Sequence, residues 1–384
     1  MSVTAAQGFR ASGVTAGLKA SGKPDMAVVV NDGPSSAAAA VYTSNRCKAH
    51  PVIWSQEAMR TGQARVVVLN SGGANCFTGP EGFALTHHTA ELAAELLGAA
   101  PIDVQVCSTG LIGLSFDEIT LLNGVRLAAA AVSSDGGSDA ATAIMTTDTV
   151  SKEAVYTSPA GWSIGGMAKG AGMLAPALAT MLVVITTDAA LDSTQLDTAL
   201  RAATSQTFDR LDSDGCQSTT DTVLRMSSGA VDIDVSLTEF TDALTHVCRD
   251  LALQLLADAE GADHEIAIHV LGAASEADAL EVGRSVARSN LFKAAIFGKD
   301  PNWGRVLASI GTTNAVFDAL DLDVALNNVW VCRNSGPGES KDLVDLDPRH
   351  VTVTINLKSG AAEATVWTND LTHAYVHENS AYST

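Results

Sequence analysis

Aromatic residues make up only 5% of this 384-residue chain. The core therefore cannot rest on large rings and must be assembled from small and branched aliphatic side chains. Basic residues are also scarce: 23 Lys and Arg stand against 43 Asp and Glu, for a formal net charge of −20. Such an acidic surface repels phosphate backbones, which argues against a nucleic-acid partner. The six cysteines, Cys47, Cys76, Cys107, Cys216, Cys248 and Cys332, include no C-x-x-C pair. Scattered through so large a chain, they fit reduced, mostly buried thiols in a cytoplasmic protein. The most apolar stretch, Leu174 to Ile185, is too short to span a bilayer and contains Pro176 and Thr180. Residues Met1 to Gln7 lack the basic start and apolar run of a signal peptide.

Hydrophobic residues supply 46% of the chain, enough for a large core in one or two domains. Their spacing alternates between two periods. Ala64 to Leu69 reads as a buried strand that enters a turn-rich loop, Asn70 to Gly79, before Pro80 opens a helix with Leu85, Leu92 and Leu96 on one side. Val104 to Val106 is another short strand and leads into Ser108-Thr109-Gly110. Ser236 and Glu239 form a capping-box pattern ahead of a helix carrying Phe240, Leu244, Val247, Leu251 and Leu255, which ends near Gly261. Ser275 with Asp278 caps a further helix. Ile266, Ile268 and Val270 alternate with other residues, as do Val351, Val353, Ile355 and Leu357. Helices and strands are mixed from end to end, so the class is α/β, while the order of strands in the sheets is not readable.

The segment richest in chemistry is Lys169-Gly170-Ala171-Gly172-Met173-Leu174-Ala175-Pro176-Ala177-Leu178-Ala179-Thr180-Met181-Leu182. A glycine turn, a basic residue and a run of small residues approach one threonine. Val183 to Ile185 then read as a strand. A threonine hydroxyl is a weak nucleophile until a neighbouring base takes its proton, and its own α-amine can serve once the chain is cut before it. Ala179 offers little hindrance to attack on the preceding carbonyl. On its own, a threonine beside an apolar strand is ordinarily a strand residue.

That segment resembles the cleavage-site signature of the ornithine acetyltransferase family, the bifunctional arginine-biosynthesis enzymes also called glutamate N-acetyltransferases. Further motifs follow the family's order: Ser108-Thr109-Gly110 with Ile112-Gly113, Ile144 to Thr149 (IMTTDT), Phe297 to Arg305 (FGKDPNWGR) and the terminal Tyr375 to Thr384. Several motifs in register are far more specific than one. The resemblance implies a layered α+β sandwich similar to that of the self-cleaving L-aminopeptidase/D-esterase family. It implies a cut between Ala179 and Thr180, giving an α fragment (1–179) and a β fragment (180–384) interwoven as one catalytic unit, and a heterotetramer of two α and two β fragments. The reaction implied is ping-pong. Thr180 takes acetyl from N2-acetyl-L-ornithine and passes it to L-glutamate, so the partners are small amino acids and no cofactor is needed; acetyl-CoA is a donor for some members.

The resemblance also assigns roles. Thr109 and Gly110 match the oxyanion-hole pair, where a hydroxyl and a backbone N–H meet the developing charge. Thr146, Lys169, Thr180, Glu260, Asn379 and Thr384 match substrate-binding positions. Lys169 suits a carboxylate and Glu260 an ammonium. Tyr375, Val376 and Tyr382 would let the terminal segment bury itself. Phe297 to Arg305 reads as scaffold, with Trp303 in the core, and Lys293 is left without a role. His373 and His377 have a metal-like spacing, but Tyr375 and Val376 favour a strand and no third ligand is evident, so no metal is expected. Neither Gly165-Gly166 nor Gly170-x-Gly172 has the surroundings of a nucleotide loop.

Three places depart from the family pattern. Gly73 and Cys76 replace an amide and a small residue, Thr220 stands where an asparagine precedes Asp221, and Asp263-His264 replaces Thr-Lys. They bear on substrate detail rather than reaction class. Two rival readings are a threonine-nucleophile amidase or aminopeptidase that releases acyl groups to water, and a secondary-metabolism paralogue with a shifted acceptor.

Overall fold

The computed structural model describes residues 2–175 and 181–381. They form three sheets whose strands mix distant parts of the chain. The first sheet runs Phe9–Val14, Met26–Asn31, Val66–Asn70, Val104–Ser108, with only the last pair parallel. The second runs Ala38–Tyr42, Thr222–Val231, Leu182–Ala189, Ser163–Lys169, Lys152–Thr157.

The near-continuous apolar runs follow from burial on both faces. In the first sheet, Val28, Val66 and Val68 point to one side and pack with Leu85 of helix Gly79–Leu97 and Val125 of helix Glu118–Ala131. Ala27, Val29, Val67 and Leu69 point to the other and meet Leu182, Val184, Leu224 and Met226 of the second sheet. Val183, Ile185 and Val223 then face helices Ser193–Gln206 and Leu237–Ala257. The result is a helix–sheet–sheet–helix sandwich, and the scarcity of rings suits the close approach of its two inner faces.

The third sheet, of six strands, pairs Glu265–Ala273 in parallel with His350–Asn356 and antiparallel with Ala362–Asn369. Helices Glu276–Ala287, Asn290–Phe297 and Trp303–Ile310 cover it, and Trp303 packs against its core while only partly buried itself.

Tertiary contacts overrule local preference in several places. The Ser236–Glu239 capping box does not form. Ser236 precedes helix Leu237–Ala257 without a side-chain bond, and Glu239 instead accepts from the Ser158 hydroxyl at 3.2 Å. That helix stops at Ala257, short of Gly261. Ser275 does cap its helix, accepting from Asp278 N–H at 3.1 Å. His373–Glu378 is a helix rather than a strand. The Thr372 hydroxyl starts it by accepting from Tyr375 N–H at 2.9 Å, which outweighs the strand propensity of Tyr375 and Val376. Val376 is 55% exposed, so it does not bury the terminal segment.

Arg225 is fully buried on the helix side of the second sheet. Its guanidinium stacks 3.9 Å above the Phe240 ring, and none of its nitrogens has a hydrogen-bond partner among the described residues. Desolvation of an unpaired cation outweighs one ring contact. Arg225→Met is expected to stabilise the protein by about 1–3 kcal/mol, read as a higher urea midpoint; a lower midpoint would show that the ring contact dominates.

Candidate active site

Sheet geometry brings the motifs together. Thr109 follows the strand Val104–Ser108, and its N–H donates to Asn70 O at 3.0 Å. Lys169 ends the strand Ser163–Lys169, opposite Leu182 in the antiparallel pairing. Both residues are buried, and Lys169 Nζ donates to Thr109 Oγ1 at 3.1 Å. With its oxygen accepting there, the Thr109 hydroxyl keeps its own proton for another acceptor. Gly110 has φ +124, and a Cβ on it would stand 3.0 Å from Gly73 Cα, so backbone conformation and close approach both call for glycine.

Asp148 is the hub beneath this pair. One oxygen accepts from Gly170 N–H and from Lys152 Nζ, each at 2.6 Å. The other accepts from Thr146 N–H at 2.9 Å. Burial alone would raise its carboxyl, but Lys169, Lys152 and these hydrogen bonds overcome that and pull it down to about 2. Burial also pushes the Lys169 ammonium down, against the pull of Asp148, Asp221 and Glu260.

Glu260 joins the IMTTDT loop to the terminal segment. It accepts from the Thr147 hydroxyl at 2.8 Å and from Asn379 Nδ2 at 3.1 Å. Its N–H donates to Ala171 O at 2.9 Å. Gly172 lies so close that a Cβ there would fall 2.7 Å from the carboxylate oxygens.

Five expected site residues, Thr109, Thr146, Lys169, Glu260 and Asn379, are thus linked through hydrogen bonds and charges, with Gly110 beside Thr109. Ala179, Thr180 and Thr384 lie outside the described residues, as does Tyr382. Lys169 is a buried ammonium. Thr146 turns its N–H to Asp148, and it is Thr147 that reaches Glu260.

Sequence reasoning gave no role to several residues that frame the site. Asp148 was visible only as a letter within its motif. Asp214 accepts from Met173 N–H at 2.6 Å, Ser213 N–H donates to Leu174 O at 2.6 Å, and Asp221 accepts from Met181 N–H at 3.0 Å. The 213–221 loop therefore grips the chain before and after residues 176–180. Asp221 is fully buried, and burial holds its carboxyl well above the usual carboxylate range. The signal was a cluster of acids in an otherwise small, polar loop.

The departures also acquire a structural meaning. A Cβ on Gly73 would come 3.3 Å from the Phe116 ring. Cys76 is buried with Ala49 and Ala74. The Thr220 hydroxyl pairs with that of Ser218 at 3.1 Å. His264 is buried, its Nδ1 2.7 Å from Asp370 Oδ2 and its Nε2 3.0 Å from Leu346 O. Four of the six free cysteines are buried and two, Cys47 and Cys216, are exposed. Among the described residues no group of three His, Cys, Asp or Glu side chains could hold a metal ion, and no helix is long and apolar enough to cross a membrane.

The depressed Asp148 carboxyl makes stability depend on acid. Its contribution is complete above the unfolded value near 3.8 and is lost as pH falls through about 2. The stability advantage of wild type over Asp148→Asn is expected to shrink by roughly 2 kcal/mol between pH 5 and pH 2 in urea titrations; an advantage independent of pH would contradict the charged hub.

The arginine biosynthesis bifunctional protein ArgJ of Streptomyces coelicolor is 59% identical to this chain over 383 residues, with both chains covered in full. The protein of the same description from Streptomyces avermitilis is 60% identical over 383 residues, again with full coverage of both. A solved chain of ornithine acetyltransferase complexed with ornithine, from Mycobacterium tuberculosis, is 50% identical; the match covers 47% of this chain and 96% of that one, with a TM-score of 0.45. Residues 10–384 match the ArgJ family pattern, and with curated relatives this similar over their whole length, the chain belongs to the ArgJ family.

Proposed function

We propose that this chain is a glutamate N-acetyltransferase of arginine biosynthesis, moving acetyl from N2-acetyl-L-ornithine to L-glutamate through an acetyl ester on Thr180. The observation that carries this reading is the convergence of Thr109, Lys169 and Glu260 at the start of the segment leading to Thr180. Family membership supports it.

The chemistry begins with self-cleavage. The Thr180 hydroxyl adds to the Ala179 carbonyl, the peptide shifts from nitrogen to oxygen, and water hydrolyses the ester. This yields fragments 1–179 and 180–384 and frees the Thr180 amine. The second sheet supports such a division. Ser163–Lys169 and Leu182–Ala189, from opposite sides of the cut, are antiparallel neighbours, so both fragments remain in one sheet.

In the first half-reaction the freed amine takes the Thr180 hydroxyl proton as the oxygen attacks the acetyl carbonyl. Charge collects on the carbonyl oxygen, where the Thr109 O–H and Gly110 N–H act as donors. The amide C–N bond breaks, and the ornithine amine leaves with the proton. In the second, the α-amine of glutamate attacks the ester, and N-acetyl-L-glutamate departs with Thr180 restored. Lys169 receives a substrate carboxylate. Glu260, held by Thr147 and Asn379, receives an ammonium, and Thr146 and Thr384 match further substrate-binding positions of the family. Acetyl arrives on an amide, so the transfer itself needs no cofactor, and acetyl-CoA is the alternative donor to assay. We further propose an assembly of two α and two β fragments in the cytoplasm, a compartment that suits the free thiols.

Intact-mass measurement on freshly purified protein is expected to show two fragments parted between Ala179 and Thr180. Thr180→Ala should remain one polypeptide and transfer no acetyl; an unbroken wild type with full activity would overturn the scheme. Thr109→Ala is expected to lower kcat by about 100-fold to 1,000-fold with a smaller change in KM. Production of N-acetylglutamate, rather than free acetate, separates the transferase from an amidase.

A further inference from the structure

A cavity of about 160 Å³ opens beside Glu260. Its walls include Asp214, Arg288, Lys293, Asp370 and Tyr375. Lys293 comes from helix Asn290–Phe297, whose start is fixed by Ser289 accepting from Phe292 N–H. It is only 7% exposed.

Its ammonium has three N–H donors, yet among the described residues Ser213 O is the one hydrogen-bond acceptor it reaches. The surrounding carboxylates hydrogen-bond to other groups, while Asp214, Asp212 and Asp370 attract the ammonium through charge. Asp212 pairs with Arg288 at 2.8 Å. Asp214 accepts from Met173 N–H at 2.6 Å and Cys216 N–H at 3.2 Å. Asp370 accepts from Asp263 N–H at 3.1 Å, from His264 N–H at 2.9 Å and from the His264 ring at 2.7 Å. Spare donors on a buried cation at the wall of a cavity are free to hydrogen-bond an incoming anion.

The same cavity presents carboxylates, Glu260 and Asp214, close to that ammonium. A ping-pong site must hold two amino acids in turn, and ornithine and glutamate differ in the sign of the distal group. One ends in an ammonium and the other in a carboxylate. A cavity lined by both signs matches that alternation.

We propose that Lys293 is a specificity-determining residue that binds the side-chain carboxylate of L-glutamate, while Glu260 and Asp214 receive the distal ammonium of the ornithine moiety. This deepens the acetyltransferase reading and rests on it. Tyr375 adds a donor to the same wall: burial, with the nearby Asp214 and Glu260 carboxylates, raises its phenol to about 12, so the hydroxyl keeps its proton.

The test is steady-state kinetics with N2-acetyl-L-ornithine and L-glutamate on wild type, Lys293→Met and Lys293→Arg. Lys293→Met is expected to raise KM for L-glutamate on the order of 100-fold. That rise should exceed any change in the donor's KM by at least about tenfold, and acceptor preference should move toward L-glutamine. Lys293→Arg, which retains the cation, should recover much of the loss. An unchanged KM for glutamate, or equal losses for donor and acceptor, would assign Lys293 a purely structural role and overturn the proposal. If Lys293→Met does not fold, as judged by its Tm, Lys293→Gln and Lys293→Arg carry the same comparison. A wild type that transfers no acetyl counts against the enzymatic reading alone. Calorimetric binding of L-glutamate to wild type, lost in Lys293→Met, would then still support the subsite, and no binding to wild type would refute it.

Discussion

The pairing of Ser163–Lys169 with Leu182–Ala189 is the constraint on which the site depends. It fixes Lys169 opposite Leu182 and so pins both ends of the intervening segment. The parallel pairing of Leu182–Ala189 with Thr222–Val231 sets Thr222 beside Leu182, which places Asp221 next to Met181. Packing of this sheet on the first, through Leu69 and Cys107 against Met167 and Leu182, carries Thr109 to Lys169. Backbone register and core packing thus do the positioning, and the polar side chains complete it.

The electrostatics follow from that burial. Lys152, Lys169 and Asp148 are all enclosed, and none would be tolerated singly. Two ammonium groups share one carboxylate, with Asp258 as a further partner of Lys152 at 2.6 Å. The net result is an anionic hub that remains charged and a Lys169 ammonium drawn down by its surroundings. The hydrogen bond that Lys169 makes goes to the Thr109 hydroxyl, so the lysine is not locked to a protein carboxylate.

Much of the layered fold was legible as periodicity. The runs at Val66–Asn70, Val104–Ser108 and Leu182–Ala189 are strands, and the helical spacing after Ser236 is a helix. Strand order was not legible, because each strand is buried on both faces and its apolar run carries no record of its neighbours. The errors at Ser236 and at Tyr375-Val376 share a cause: distant or capping partners outbid local preference. Thr109, Lys169 and Glu260 were found through motif resemblance, whereas Asp148, Asp214 and Asp221 needed the structure, since their importance lies in which backbone N–H each one meets. Lys293 lines a cavity with Glu260, 33 residues earlier in the chain, and nothing in its local sequence marks that proximity.

The interleaving of the second sheet gives the molecule a history. While the backbone is whole, strands 163–169 and 182–189 are tethered neighbours, and their encounter costs little entropy. If the proposed cut between Ala179 and Thr180 separates them, the native sheet is held by contacts alone. A denatured sample then consists of two independent polymers whose reunion depends on dilution, so the protein would be assembled easily once and recovered with difficulty afterwards.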